Sequence, residues 1–208
     1  MDFLLNQNIL LYLSAYFLSA IPFGFILAKF FAGVDVRKEG SGNIGATNVL
    51  RVLKEKAPQL AKKLTIATFA LDALKGVVVI LIAMALGAEP AVLWLIAVLS
   101  VLGHCFSPFL GFEGGKGVAT GFGVMLVLLP IPSLIAIATW FIAGKILKIS
   151  SLSSLIGLIA LLISAHLLYP SLPGIYAHSP IWIIAFIIFH KHIPNIVRII
   201  KKEEAKVL

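Results

Sequence analysis

Seven apolar runs, at 9–31, 64–86, 91–110, 117–129, 133–147, 152–169 and 181–200, alternate with short polar or proline-bearing breaks. A hydrocarbon core of roughly 30 Å takes about 20 helical residues, so most of these runs are long enough to cross it. The pattern predicts an all-α, polytopic integral membrane protein with seven transmembrane helices. The breaks at 87–90, 130–132 and 170–180 contain no Lys or Arg. Basic residues gather instead around the other breaks and the C-terminus, from Lys29, Arg37 and Lys38 through Lys116, Lys145 and Lys148 to Lys201, Lys202 and Lys206. The positive-inside bias then puts the N-terminus outside and the C-terminus in the cytoplasm, and an odd number of spans agrees.

Composition reinforces the class. Hydrophobic residues make up 60% of the 208, charged residues 12%, and the mean hydropathy is +1.06. A soluble domain does not use such proportions, and one membrane domain is expected over 1–208. Met1-Asp2 supplies no basic n-region and the first run exceeds an ordinary signal h-region, so the first helix is expected to stay. The net charge of +8 is accounted for by topology and anionic lipid, with no nucleic-acid signature. Cys105, the only cysteine, excludes a disulfide framework and reads as a small core residue. Asp72 and Lys75, three apart on one helical face, read as a neutralising pair.

Two stretches stand out because no lipid-facing helix would choose them. The first carries Gly40, Ser41, Gly42, Asn43, Gly45, Thr47, Asn48 and Arg51, and the second Gly114, Gly115, Lys116 and Gly117. Glycine lets backbone N–H groups approach a ligand and the remaining side chains are donors, so both read as cradles for phosphate or carboxylate. The run 117–129 would form only roughly 20 Å of helix, too short to span. The loop before it is therefore expected to be recessed and to line a cavity, with a helix N-terminus near Gly117 aimed at an oxyanion. A third polar cluster, His190, Lys191, His192, Asn195 and Arg198, ends the last run, where Pro194 is expected to kink or stop the helix. Interfacial anchoring explains most of that cluster, though Asn195 less well.

Several motif matches fail on context. Gly40, Gly42 and Gly45 fit a dinucleotide fingerprint, but no strand precedes them. A P-loop would need glycine where Leu110 stands and Ser or Thr where Gly117 stands. The five histidines and nine acids show no ligand spacing, so no metal or other cofactor is expected.

On these residues the chain resembles the bacterial acyl-phosphate-dependent glycerol-3-phosphate acyltransferases, the PlsY family, over essentially its whole length. The first family motif is matched by Gly40 through Arg51. The second is matched by Gly103-His104 and by Phe112 through Thr120, and the family assigns it to glycerol-phosphate binding. The third is matched at Lys191, His192, Asn195, Ile196 and Arg198, but Ile193 and Pro194 replace the usual Arg and Glu. Any structural role of that Glu must be filled otherwise or is absent.

The resemblance implies transfer of a fatty acyl group from acyl phosphate to the 1-hydroxyl of sn-glycerol 3-phosphate, giving lysophosphatidic acid and inorganic phosphate. It implies a multi-pass protein of the bacterial inner membrane with its site on the cytoplasmic side, two small-molecule substrates, surrounding lipid, no cofactor and no obligate protein partner. Carried over residue by residue, it makes Ser41, Arg51, His104, Lys116 and Asn195 the catalytic candidates. Gly40, Gly42, Asn43, Gly45, Thr47, Asn48, Gly114, Gly115, Gly117, Thr120, His192 and Arg198 become substrate-binding candidates. The first loop is expected to cradle acyl phosphate, and the second, with His104, glycerol phosphate. An acyl phosphate is already activated, so the main task is to hold two anions and stabilise the tetrahedral intermediate. His104, Glu113 and a substrate phosphate oxygen remain open as the base. A transporter or channel for phosphorylated metabolites is the competing class, disfavoured because no inverted repeat is apparent. An ordinary acyltransferase using acyl-CoA or acyl carrier protein usually carries His, four residues, then Asp, and no histidine here has Asp five positions later.

Overall fold

The computed structural model describes residues 6–206, so the reading of Met1-Asp2 lies outside the described residues. Within them the chain is helical throughout: α1 (Gln7–Ser19), α2 (Phe23–Ala32), α3 (Ala46–Lys56), α4 (Pro58–Ala85), α5 (Pro90–Cys105), α6 (Val118–Leu128), α7 (Pro130–Leu147), α8 (Ser150–Leu168) and α9 (Ser179–Ile200). Proline opens α4, α5, α7 and α9 in the first turn, where a missing N–H costs nothing.

The first apolar run, expected as one span, is two helices bent by 41°. Pro22 has no N–H to continue the ladder. The break frees the carbonyls of Ala20 and Ile21, and buried side chains take them: Ser107 Oγ donates to Ala20 O at 2.7 Å and Lys75 Nζ to Ile21 O at 3.1 Å. Five segments are long and apolar enough to cross a membrane, namely Pro58–Ala85, Pro90–Leu110, Pro130–Leu147, Ser150–Leu168 and Ser179–Ile200, and the bent α1–α2 pair makes a sixth. α6, with 11 residues, is about 16 Å long and falls well short. α9 runs through Pro194 to Ile200 rather than stopping there.

The first polar stretch is a loop only as far as Gly45. From Ala46 it becomes α3, which buries Val49, Val52 and Leu53 against Ala28, Val36, Ala61 and Leu64 and leaves Lys54, Glu55 and Lys56 exposed. α5 forms the centre of the main core and packs on α1, α4, α6 and α9. Its Trp94, Ile96 and Val101 cluster with Val124, Met125, Ile184 and Ile188. α7 and α8 pair as a hairpin beside α6 and α9. A Cβ at Gly123 would lie 2.3 Å from the Ala73 carbonyl, so glycine is what lets the short α6 approach α4. Phe30, Ile146, Leu167 and Phe186 point outward, an apolar exterior suited to lipid.

Candidate active site

All three polar motifs meet at one cavity of about 200 Å³. Its polar end is lined by Ser41, Asn43, Gly45, Thr47, Asn48 and Arg51 from the first motif, His104, Lys116 and Gly117 from the second, and His192 and Asn195 from the third. Asp72 reaches the wall from α4. Two contributions were not foreseen: Ser150, Ser151 and Ser154 at the start of α8, and Glu204 beyond α9. The rest of the wall is apolar, formed by Phe122, Met125, Ala136, Trp140, Leu158, Leu161 and Ile184 from α6, α7, α8 and α9.

Three helix N-termini converge here. α3, α6 and α8 begin without a side-chain cap, and residues of each first turn line the cavity. Their free N–H groups and positive dipole ends therefore face one space. Arg51 and Lys116 add full charges, with no ion-pair partner among the described residues. Burial pulls the Lys116 ammonium down to about 8, with Glu204 opposing and Arg198 and Arg51 adding to the fall.

Asn48 shapes the first loop rather than offering free donors to a ligand. Its Nδ2 donates to Val36 O at 2.9 Å, Glu39 O at 3.1 Å and Asn43 O at 2.8 Å, while Oδ1 accepts from Ser41 N at 2.8 Å. Gly40 makes room for it: φ there is +58°, and a Cβ would lie 2.4 Å from Asn48 Oδ1. Thr47 Oγ1 lies 3.0 Å from Ser150 Oγ and joins α3 to α8.

His104 is held on both sides. Its Nδ1 is 2.7 Å from Lys75 Nζ, which also donates to Asp72 Oδ1 at 2.9 Å. An ammonium can only donate, so Nδ1 accepts and the ring proton is assigned to Nε2. That edge faces Gly115, where a Cβ would lie 2.0 Å from Nε2, and Gly115 N donates to His104 O at 3.0 Å. The imidazole thus presents a donor, an arrangement that counts against its acting as a base. Asp72 and Lys75 are the closed pair expected, with the added task of orienting His104.

Not every candidate reaches the cavity wall. Gly114 and Gly115 sit behind His104, Gly40 and Gly42 lie on the exposed side of the first loop, and Glu113 is exposed away from the cavity. Thr120 Oγ1 donates to Asp72 O at 2.8 Å, tying α6 to α4. Lys191 lies over the Phe106 ring at 5.1 Å. Arg198 stands behind the wall, its Nε donating to Glu204 Oε2 at 2.7 Å. The same carboxylate accepts from Ser151 Oγ at 2.7 Å and Asn195 Nδ2 at 2.6 Å, so the acid missing at Pro194 is matched by one beyond the helix.

Apolar helices around a cationic cavity with an apolar arm define an integral membrane protein able to take an anion joined to a hydrocarbon chain. The family model described as glycerol-3-phosphate acyltransferase matches residues 9–202, and the chain belongs to that family. It is 59% identical over 207 residues to the glycerol-3-phosphate acyltransferase of a Nitratiruptor species, covering 100% of this chain and 99% of that protein. It is 61% identical over 208 residues to that of Aliarcobacter butzleri, covering 100% of both. The crystal structure of PlsY, an integral membrane glycerol 3-phosphate acyltransferase, in its glycerol 3-phosphate form has a TM-score of 0.85 at 34% identity, covering 97% of this chain and 96% of that one. The lysophosphatidic acid form gives 0.81 at 34% identity, covering 97% and 95%. The protein is accordingly a multi-pass membrane acyltransferase.

Proposed function

We propose that this acyltransferase takes its acyl group from acyl phosphate and delivers it to the 1-hydroxyl of sn-glycerol 3-phosphate, releasing lysophosphatidic acid and inorganic phosphate. One observation carries the reading: three uncapped helix N-termini, Arg51 and Lys116 surround a single cavity that continues into an apolar arm. Two phosphorylated groups and one acyl chain match that division of space. The glycerol 3-phosphate and lysophosphatidic acid forms of the solved PlsY support the acceptor and the product.

The N-terminus of α3, with Ser41, Asn43, Thr47 and Arg51, cradles the acyl phosphate, and Lys116, Gly117, His192 and Asn195 hold glycerol phosphate. Fixed donors stabilise the charge of the tetrahedral intermediate by several kcal/mol without reorganising during the reaction. The hydroxyl oxygen attacks the carbonyl carbon, the carbon–oxygen bond to phosphate breaks, and the hydroxyl proton passes to a phosphate oxygen as that group departs. With His104 arranged as a donor and Glu113 off the wall, no side-chain base is invoked. Six long segments and the short α6 as a seventh crossing, with the N-terminus outside in the bacterial inner membrane, give this site a cytoplasmic face; the distribution of Lys and Arg supports that orientation.

Purified protein in detergent, given glycerol 3-phosphate with long-chain acyl phosphate, acyl-CoA or acyl carrier protein in turn, tests the donor. Lysophosphatidate is expected from acyl phosphate alone. Turnover of either thioester with none of acyl phosphate would overturn the reading.

A further inference from the structure

The tail beyond α9 carries Lys201, Lys202, Glu203, Glu204 and Lys206, a composition that ordinarily faces solvent. Its backbone does not run off the helix. Lys202 adopts a left-handed φ of 60°, and Glu203 N donates to Arg198 O at 2.8 Å, a closure that turns the chain back over the cavity. The Glu204 side chain is thereby only 7% exposed. Burial pushes its carboxyl up, but bonds from Arg198, Ser151 and Asn195 outweigh that and hold it below the ordinary glutamate range.

An ionised carboxylate only accepts, so it dictates the polarity of whatever touches it. Facing Glu204, Asn195 must present its amide N–H, at 2.6 Å. The amide oxygen is then left over: Oδ1 is buried without a partner, on a residue that lines the cavity. A buried, unpaired acceptor calls for an explanation. Around it, helix N–H groups, Arg51 and Lys116 are donors. The Asp72 and Glu204 carboxylates already accept from Lys75, Ser151, Asn195 and Arg198, and a further acceptor on the wall is Nε2 of His192, whose Nδ1 donates to Ile188 O at 2.7 Å. A phosphate is satisfied by such a wall, but a hydroxyl held for attack also needs a hydrogen-bond acceptor to orient it before its proton passes to the phosphate oxygen.

We propose that Glu204 is a positioning residue for the transfer: by locking the Asn195 amide in one orientation, it supplies the acceptor that receives the attacking hydroxyl of glycerol 3-phosphate. This rests on the acceptor substrate proposed above. Glu204 acts through Asn195, and its bonds to Ser151 and Arg198 fix the end of α9 against the start of α8 at the same time.

The test compares the full-length wild type with Glu204→Gln, Glu204→Asp and the exposed neighbour Glu203→Gln. Calorimetric affinities are measured for glycerol 3-phosphate and for propane-1,2-diol phosphate, which lacks the attacking hydroxyl, alongside kcat/KM with acyl phosphate. The wild type is expected to prefer glycerol 3-phosphate by about tenfold, because the analogue leaves a buried acceptor unpaired. In E204Q, whose own amide lets Asn195 turn over, the preference is expected to fall to about unity and kcat/KM by about tenfold or more. E203Q should match the wild type. A wild type without the preference, or an E204Q that keeps it whatever its rate, would overturn the proposal, since slower turnover with intact discrimination is what a merely structural glutamate gives. If E204Q melts below the assay temperature, E204D decides: an acceptor-only group is expected to keep the preference, and a folded E204D without it sinks the idea. Failure of the wild type to use acyl phosphate would fault the donor and leave the affinity comparison standing.

Discussion

Replacing Gly115 by alanine probes the packing beneath the cavity with one methyl group. The new Cβ would lie 2.0 Å from His104 Nε2 and 2.7 Å from Cε1. Ordinary contact needs about 3.4 Å, so the ring must retreat by roughly 1.4 Å. Its retreat is opposed by two restraints, Nδ1 held by Lys75 at 2.7 Å and the backbone carbonyl held by Gly115 N, so the ring gains room only by breaking one of them. Overpacking of this kind costs about 1–3 kcal/mol, and depriving Lys75 of one acceptor adds a similar amount, for about 2–6 kcal/mol together. For a protein of this size that is a fall in Tm of roughly 4–24 °C. Cys105 is the only cysteine and is buried, so a thiol-reactive fluorophore reports unfolding directly. His104→Ala removes the ring the methyl strikes, so the double variant should lose at least about 1 kcal/mol less than the sum of the singles. A Gly115→Ala protein melting within a degree of wild type, or strict additivity in the cycle, would refute the reasoning.

Arg51→Lys keeps the charge but loses the planar fork, and kcat/KM should drop about tenfold or more; near-normal activity would remove Arg51 from the phosphate site. Because burial holds Lys116 at about 8, well below its ordinary 10.5, its charged form is present below that pH and lost above it. The kcat/KM profile should therefore decline through pH about 8, as the free enzyme's ammonium deprotonates, and a profile flat to pH 10 would contradict the role of Lys116. Ala136→Leu narrows the apolar arm. It should depress kcat/KM for hexadecanoyl phosphate far more than for butyryl phosphate, and equal losses would mean the acyl chain lies elsewhere.

The apolar segments were legible because burial in lipid leaves a long, uniform signal, and the family resemblance located all three motifs. Local geometry was less legible. Pro22 interrupts the first run and could have flagged the bend, yet 23 mostly apolar residues in a row read as one span. α3 was hidden by the glycines before it, although Val49, Val52 and Leu53 carry helical spacing. Within the site, donor chemistry pointed to residues that do share a cavity, but not to what each one does there. Asn48 and Gly40 shape each other, and Gly115 is small because an imidazole from α5 occupies the space; both depend on partners that spacing along the chain does not reveal. Ser151 and Glu204, 53 residues apart, meet only because the tail folds back.

The bend at 20–22 constrains how the chain enters the bilayer. Ile21 O already accepts from Phe23 N at 3.1 Å, but Ala20 O is satisfied by Ser107, a residue made 87 positions later. A carbonyl stranded in hydrocarbon costs several kcal/mol. During synthesis, the leading bent span therefore has one open valence until the fifth helix arrives, and it should linger beside the insertion machinery, or close to the headgroups, until the segment ending at Ser107 has been threaded in.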